Sequence, residues 1–238
     1  MTPSLTPPTR QIDYPDSDGQ PMSDNTLQFK WIVTIEGGID SVFDDDPNVF
    51  VAGDLLWYPV EGNNLIRCAP DTLVAFGRPK GERGSYRQWE EAGIAPQVVF
   101  EVLSPGNRAG EMTRKFELYE RYGVEECYIY DPDDPELTGY LRRGGRLEKI
   151  AEPHGWVSPR LGIRFDLSGP EMVIYRPDGE RFLTYRELRR KVGEKHRLAE
   201  EERLARIQAQ QRADDAKKQV EKFAEHLRKL GIDPDQLP

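Results

Sequence analysis

Residues 97–103 read Gln97-Val-Val-Phe-Glu-Val-Leu103, an apolar run interrupted at its centre by a single acid, Glu101. A short run rich in β-branched and aromatic residues reads as a strand buried on both faces, where no water would reach a carboxylate. Burying an ionised carboxylate costs several kcal/mol or more unless a cation or hydrogen-bond donors replace its water, so Glu101 requires a partner. A divalent metal would serve. Downstream, Met112, Phe116, Leu118, Tyr119 and Tyr122 recur at helical spacing between Glu111 and Tyr122, with Gly123 as the stop, and Cys127-Tyr-Ile-Tyr130 is a further core strand. Strand, helix, strand is a crossover unit, and it implies that the two strands are parallel neighbours in a mixed sheet.

Two other residues belong with Glu101. Asp71, in Pro70-Asp71, opens the strand-like run Thr72-Leu-Val-Ala-Phe76, which ends at Gly77. Lys115 stands three residues after Met112 and four before Tyr119, on or beside the apolar stripe of its helix, so its ammonium is expected to face the sheet. Two carboxylates and one lysine thus occupy positions where folding alone would favour apolar groups.

The spaced set resembles the PD-D/E-x-K nucleases of the restriction-endonuclease-like fold. More closely, Glu101-Val-Leu-Ser-Pro-Gly-Asn107, Glu111, Lys115, Tyr119 and the run from Tyr122 to Pro132 are similar to the Uma-two family of restriction-endonuclease-like proteins, over roughly residues 25–166. The resemblance implies an α/β (α+β) fold: a mixed sheet flanked by helices, followed here by a long C-terminal helix or short coiled coil. Most such nucleases carry the lysine two residues after the second acid. Leu103 fills that place here, and the family pattern moves the lysine to the following helix, which fits Lys115. The usual helix aspartate of the family is Glu111.

The function so implied is metal-dependent hydrolysis of phosphodiester bonds in nucleic acid, DNA first. Asp71 and Glu101 would hold Mg²⁺ or Mn²⁺, lowering the pKa of a bound water and offsetting charge on the phosphoryl group. Lys115 would orient that water, help deprotonate it, or neutralise the phosphate. Tyr119, one turn later, either donates to a phosphate or is a core aromatic. Glu111 is either a ligand or an i to i+4 partner of Lys115. Ser104 and Asn107, in the loop leaving the Glu101 strand, either bind substrate or cap the helix. Asn25 is a weaker candidate. The alternative is a noncatalytic interaction module that keeps a nuclease-like fold and assembles through its C-terminal helix; Leu103, Glu111 and the acidic charge motivate it.

The 238 residues suffice for one medium domain with an appendage. A net charge of −9 argues against nonspecific coating of nucleic acid, though Arg78, Lys80, Arg83 and Arg87 could form a local basic groove or be ordinary surface charges. No apolar stretch reaches membrane-spanning length and the start lacks the pattern of an export signal, so a cytoplasmic protein away from membranes is expected. Cys68 and Cys127 are too far apart for a zinc pattern and read as reduced, buried thiols; His154, His196 and His226 form no pairing.

Along the chain, residues 1–22 read as a proline-rich flexible leader, 23–184 as the restriction-endonuclease-like domain and 185–238 as a charged helical tail. A helix capped by Ser23 or Asp24 is expected through Ile35, then strand segments at 49–52 and 55–58 and a hairpin around Gly144-Gly145. In the tail, Val220, Phe223, Leu227 and Leu230 follow a coiled-coil seam, extended weakly by Ala209, Ala213 and Ala216, with Gly231 and Pro234 as terminators. Self-association into a homodimer through this helix is the expected assembly; a solvated single helix is the other reading.

Overall fold

The computed structural model describes residues 12–17, 19, 21–106, 109–229 and 231. Asn107, Leu230 and Pro234 therefore lie outside the described residues. Helix α1 (Thr26–Val42) starts the domain and precedes strands β1 (Val49–Gly53), β2 (Trp57–Tyr58), β3 (Thr72–Phe76), β4 (Tyr86–Arg87) and β5 (Val98–Val102). Helix α2 (Ala109–Tyr122) leads to β6 (Glu126–Asp131), β7 (Glu136–Arg143), β8 (Arg146–Lys149), β9 (Arg164–Asp166) and β10 (Val173–Tyr175), and α3 (Tyr185–Lys229) follows. The backbone divides into two compact units, one ending at Tyr185 and the other beginning at Arg186.

Six strands make one sheet in the order β1-β3-β5-β6-β7-β8. β5 and β6 are parallel, joined through α2 as the crossover requires, and the other neighbours are antiparallel. Side chains alternate across β5. Val98, Phe100 and Val102 pack on the α1 side with Trp31, Ile35 and Ile39, whereas Val99 joins Leu73, Cys127 and Tyr119 on the α2 side. By the same alternation Glu101 belongs to the α2 face. This mixed α/β sheet with a helix on each face is the architecture that the sequence resemblance implies.

Asn25, rather than Ser23 or Asp24, caps α1. Its backbone is extended, and its side-chain oxygen accepts from the Leu27 and Gln28 amides at 2.9 Å each. Its polar character is thereby accounted for by capping rather than by a site. Asn25→Ala is expected to cost about 1 kcal/mol, readable as a lower urea midpoint at unchanged slope. The helix also runs past Ile35, through Gly37 and Gly38, and at Gly38 the Phe182 ring packs where a Cβ would overlap it. Tertiary packing outweighs the poor helix propensity of glycine at this point.

Three elements, β4, β9 and β10, were not expected from the sequence, whereas β2 falls within the expected strand segment at 55–58. β4 pairs in parallel with the two-residue β2, and β9 pairs with β10 as a separate ribbon. All three are too short for a periodic signal. Tyr14, upstream of α1, packs against Tyr58 and Trp89, and Tyr58 donates to the Pro15 carbonyl at 2.7 Å. A further buried acid, Glu126, begins β6 fully enclosed; it accepts from Tyr128 at 2.8 Å, Ser158 at 2.5 Å and the Arg160 amide at 2.7 Å. The Ser158 and Arg160 donors tie the 158–160 loop to the sheet. No helix among the described residues is long and apolar enough to cross a membrane.

Candidate functional site

The β3–β5 register pairs Thr72 with Phe100, so its continuation by one residue sets Asp71 opposite Glu101. Opposite residues in an antiparallel pair share a face, and this one looks toward α2. On that helix Lys115 and Tyr119 are separated by one turn and project to the same side. Strand alternation, cross-strand register and helical period together bring four residues from three elements into one place.

Glu101 is the hub. It is 2 % exposed, and one oxygen accepts from Lys115 Nζ at 2.8 Å while the other accepts a short hydrogen bond from the Tyr119 hydroxyl. Lys115 also donates to the Ala69 carbonyl at 2.8 Å, in the segment leading to Asp71. Asp71 is 8 % exposed, and its Oδ2 accepts from the Val102 amide at 2.6 Å. The opposite polar group of the same residue, the Val102 carbonyl, accepts from Gln28 Nε2 at 2.8 Å, which ties α1 to the end of β5.

The electrostatics are those of two carboxylates sharing one ammonium. Burial, reinforced by the charges of Glu101 and Asp54, pushes the Asp71 carboxyl up to about 8, against the opposing effects of Lys115 and the Val102 amide. Burial alone would discharge Lys115, but the charges of Glu101 and Asp71 and its hydrogen bond to Glu101 outweigh it and hold the ammonium above the usual lysine range. Burial and the Glu101 charge likewise raise the Tyr119 phenol, so it keeps its proton and donates. At neutral pH the pocket therefore retains a proton on Asp71, and a cation of higher charge could take that proton's place.

The other expected site residues are distributed differently. Tyr119 is fully buried and stacks on Trp57 at 6.3 Å between ring centroids, so its hydroxyl serves Glu101 rather than facing outward. Ser104 is buried and donates to Asp24 Oδ2 at 2.5 Å. Glu111 is exposed in the first turn of α2, while Lys115 turns to Glu101. Arg78 and Arg83 both bind Glu91, at 2.7 and 2.6 Å, and Lys80 binds Asp40 at 2.9 Å. Arg87 lies 3.4 Å from Glu90, so every cation of that cluster has a neighbouring acid. Cys68 and Cys127 are free, buried thiols, and burial pushes Cys68 up to about 12, far from a reactive thiolate.

Sequence reasoning missed the backbone partners, Ala69 C=O and Val102 N–H, and the Trp57 platform. The antiparallel register could have revealed the first two, because it also fixes which backbone groups lie beside each acid. Nothing in the sequence marks Trp57. A cleft of about 500 Å³ lies elsewhere, lined by Gly123, Glu126, Arg142 and Arg160 near the start of β6. Its acid is satisfied by the loop that it anchors.

Among the described residues no group of three or more His, Cys, Asp or Glu side chains is arranged to hold a metal ion. Asp71 and Glu101 would thus supply two oxygen ligands, with water, backbone carbonyl and phosphate oxygens completing the shell, a donor set that suits Mg²⁺. The proton held on Asp71 and the single compensating lysine fit that arrangement.

No curated protein matches this chain. Among solved structures, one similar chain comes from Anabaena variabilis and is described as a "putative nuclease belonging to DUF820"; it is 17 % identical, with a TM-score of 0.47, over 60 % of this chain and 79 % of that one. Residues 34–170 match the model of the family Uma2, described as "Putative restriction endonuclease". That match spans more than half of the sequence and contains Asp71, Glu101, Lys115 and Tyr119, and on this ground the chain belongs to the Uma2 family.

Proposed function

We propose that this protein is a Mg²⁺- or Mn²⁺-dependent endonuclease-like phosphodiesterase acting on DNA, with Asp71 and Glu101 as metal ligands and Lys115 as the cationic catalytic residue. The observation that carries this reading is the convergence of Lys115 and Tyr119 on a buried glutamate whose cross-strand neighbour is a second buried acid. DNA is the substrate class that the family description suggests. When bound, the metal supplies Lewis acidity and a water of lowered pKa.

The chain's own groups have separate tasks. Tyr119 and Lys115 fix the carboxylate plane of Glu101 by one hydrogen bond to each oxygen. Lys115 uses two of its three N–H donors on Glu101 and Ala69, leaving one for a water or a phosphate oxygen. Its raised pKa makes it a proton-bearing, charge-stabilising group rather than a general base. Asp71, held by the Val102 amide, releases its proton when a cation is taken up.

The competing reading, a noncatalytic module, draws on Leu103 at the usual lysine position and on the satisfaction of both Glu101 oxygens by protein donors. Purified protein incubated with plasmid DNA and Mg²⁺ or Mn²⁺ separates the two. Cleavage is expected, slowed about a hundredfold or more in Asp71→Asn and Glu101→Gln. Equal cleavage by parent and both variants would place the activity elsewhere. No cleavage together with no calorimetric Mn²⁺ binding would favour the noncatalytic module.

A further inference from the structure

The amphipathic stripe of α3 carries charges of one sign beside it. Val192, Val220 and Leu227 are whole heptads apart, and Leu188 and Phe223 occupy the matching fourth positions, so one register marks an apolar seam at each end of the helix, while its positions between hold Lys195, Glu202, Arg206 and alanines. No side chain of α3 is buried, and Val220 and Phe223 are 67 % and 71 % exposed. The two heptad positions flanking this seam hold Arg189, Arg203, Arg212 and Lys217 and not one Asp or Glu. The acids sit behind, where Glu200, Glu201, Asp214 and Asp215 face away from the seam. Within the seam, Glu202 and Arg206 pair with each other at 2.6 Å, a polar step of the kind that specifies alignment.

A second copy of this helix would offer none of these cations an acid at the flanking positions, and in parallel register would set Arg212 against Lys217 on each flank, which costs affinity and specificity. A helix with an apolar seam and acidic flanks would meet an opposite charge at each of these positions. A nucleic-acid backbone would satisfy the cations but leave Val220 and Phe223 in water. We infer that α3 is a docking helix for an acidic-flanked amphipathic helix of another protein, forming a heterotypic coiled coil. This surface is independent of the hydrolytic reading, since none of its residues belongs to the Asp71–Glu101 site.

The test uses the full chain and two synthetic helical peptides with leucine at both seam positions, one carrying glutamate and the other lysine at the flanking positions. By fluorescence anisotropy the glutamate peptide is expected to bind at least tenfold more tightly than the lysine peptide. That binding should weaken with added salt and fall at least tenfold in the double variant Val220→Asp/Phe223→Asp, whose sites are exposed. Sedimentation of the chain alone should show a monomer at low micromolar concentration. Equal binding of the two peptides, or of neither, overturns the inference. So does a stable dimer of the chain that the double variant dissociates, which would make a second copy the occupant. Binding of a DNA duplex that is lost in Arg212→Glu/Lys217→Glu but kept in Val220→Asp/Phe223→Asp would assign the cations to nucleic acid and also overturn it.

Discussion

Replacing Glu101 with alanine is expected to remove about 3–5 kcal/mol of folding stability as well as cleavage. Glu101 accepts from Lys115 at 2.8 Å and from Tyr119, and all three side chains are largely or fully buried. Its loss would leave an ammonium with only the Ala69 carbonyl as acceptor and a fully enclosed phenol with none from this side chain. Stranding one partner of a buried pair is more damaging than removing both. Glu101→Gln keeps the shape but lowers the charge, so a smaller loss of about 1–3 kcal/mol follows. Adding Lys115→Met to Glu101→Gln should recover at least about 1 kcal/mol of that loss, the mark of direct coupling, while cleavage stays slowed by about a hundredfold or more. Urea denaturation with constant slopes measures all three. An alanine variant within 1 kcal/mol of the parent would show that Glu101 is not the centre of a buried network.

A second large effect concerns pH. Asp71 has a folded pKa of about 8 against about 3.9 for an aspartate in an unfolded chain. The folded state thus binds this proton more tightly, so the stability contributed by Asp71 is complete below about pH 4 and is lost as pH rises through about 8. Above that value the full penalty of two buried carboxylates beside one lysine applies. Asp71→Asn retains an oxygen to accept from Val102 and cannot ionise. In the presence of a chelator it is expected to be more stable than the parent by up to about 5 kcal/mol near pH 9, and about equal to it at pH 4. Mn²⁺ should raise the melting temperature of the parent near pH 8 and leave that of Asp71→Asn almost unchanged. A variant less stable than the parent across the whole range would mean that Asp71 is ionised and well compensated in the fold.

Both effects concern acids placed where a core would ordinarily be apolar. The proposed chemistry and the cost of folding are thereby coupled: the groups proposed to hold the metal are costly to bury without it. Asp54 adds to the cost. Its backbone has a positive φ of 48°, its amide donates to the Asp71 carbonyl at 3.3 Å, and its charge contributes to raising the Asp71 pKa.

The sequence alone determined the elements around the candidate site and the sheet face on which Glu101 lies. The run at 97–103 reads as a buried strand, the period from Met112 to Tyr122 as a helix, and Gly123, with φ of 104°, as its stop. These local periodicities follow from backbone geometry, so Glu101, Lys115 and the parallel β5–β6 pair were legible without coordinates. Tertiary structure decided what local pattern cannot encode. It alone showed that Tyr119 turns inward to Glu101, that Arg78 and Arg83 are taken up by Glu91, and that Asn25 caps α1, which then continues through Gly38 beneath Phe182. Each of these depends on which distant side chain arrives to share a buried volume, and that is set by packing over the whole chain rather than by the spacing of residues along it.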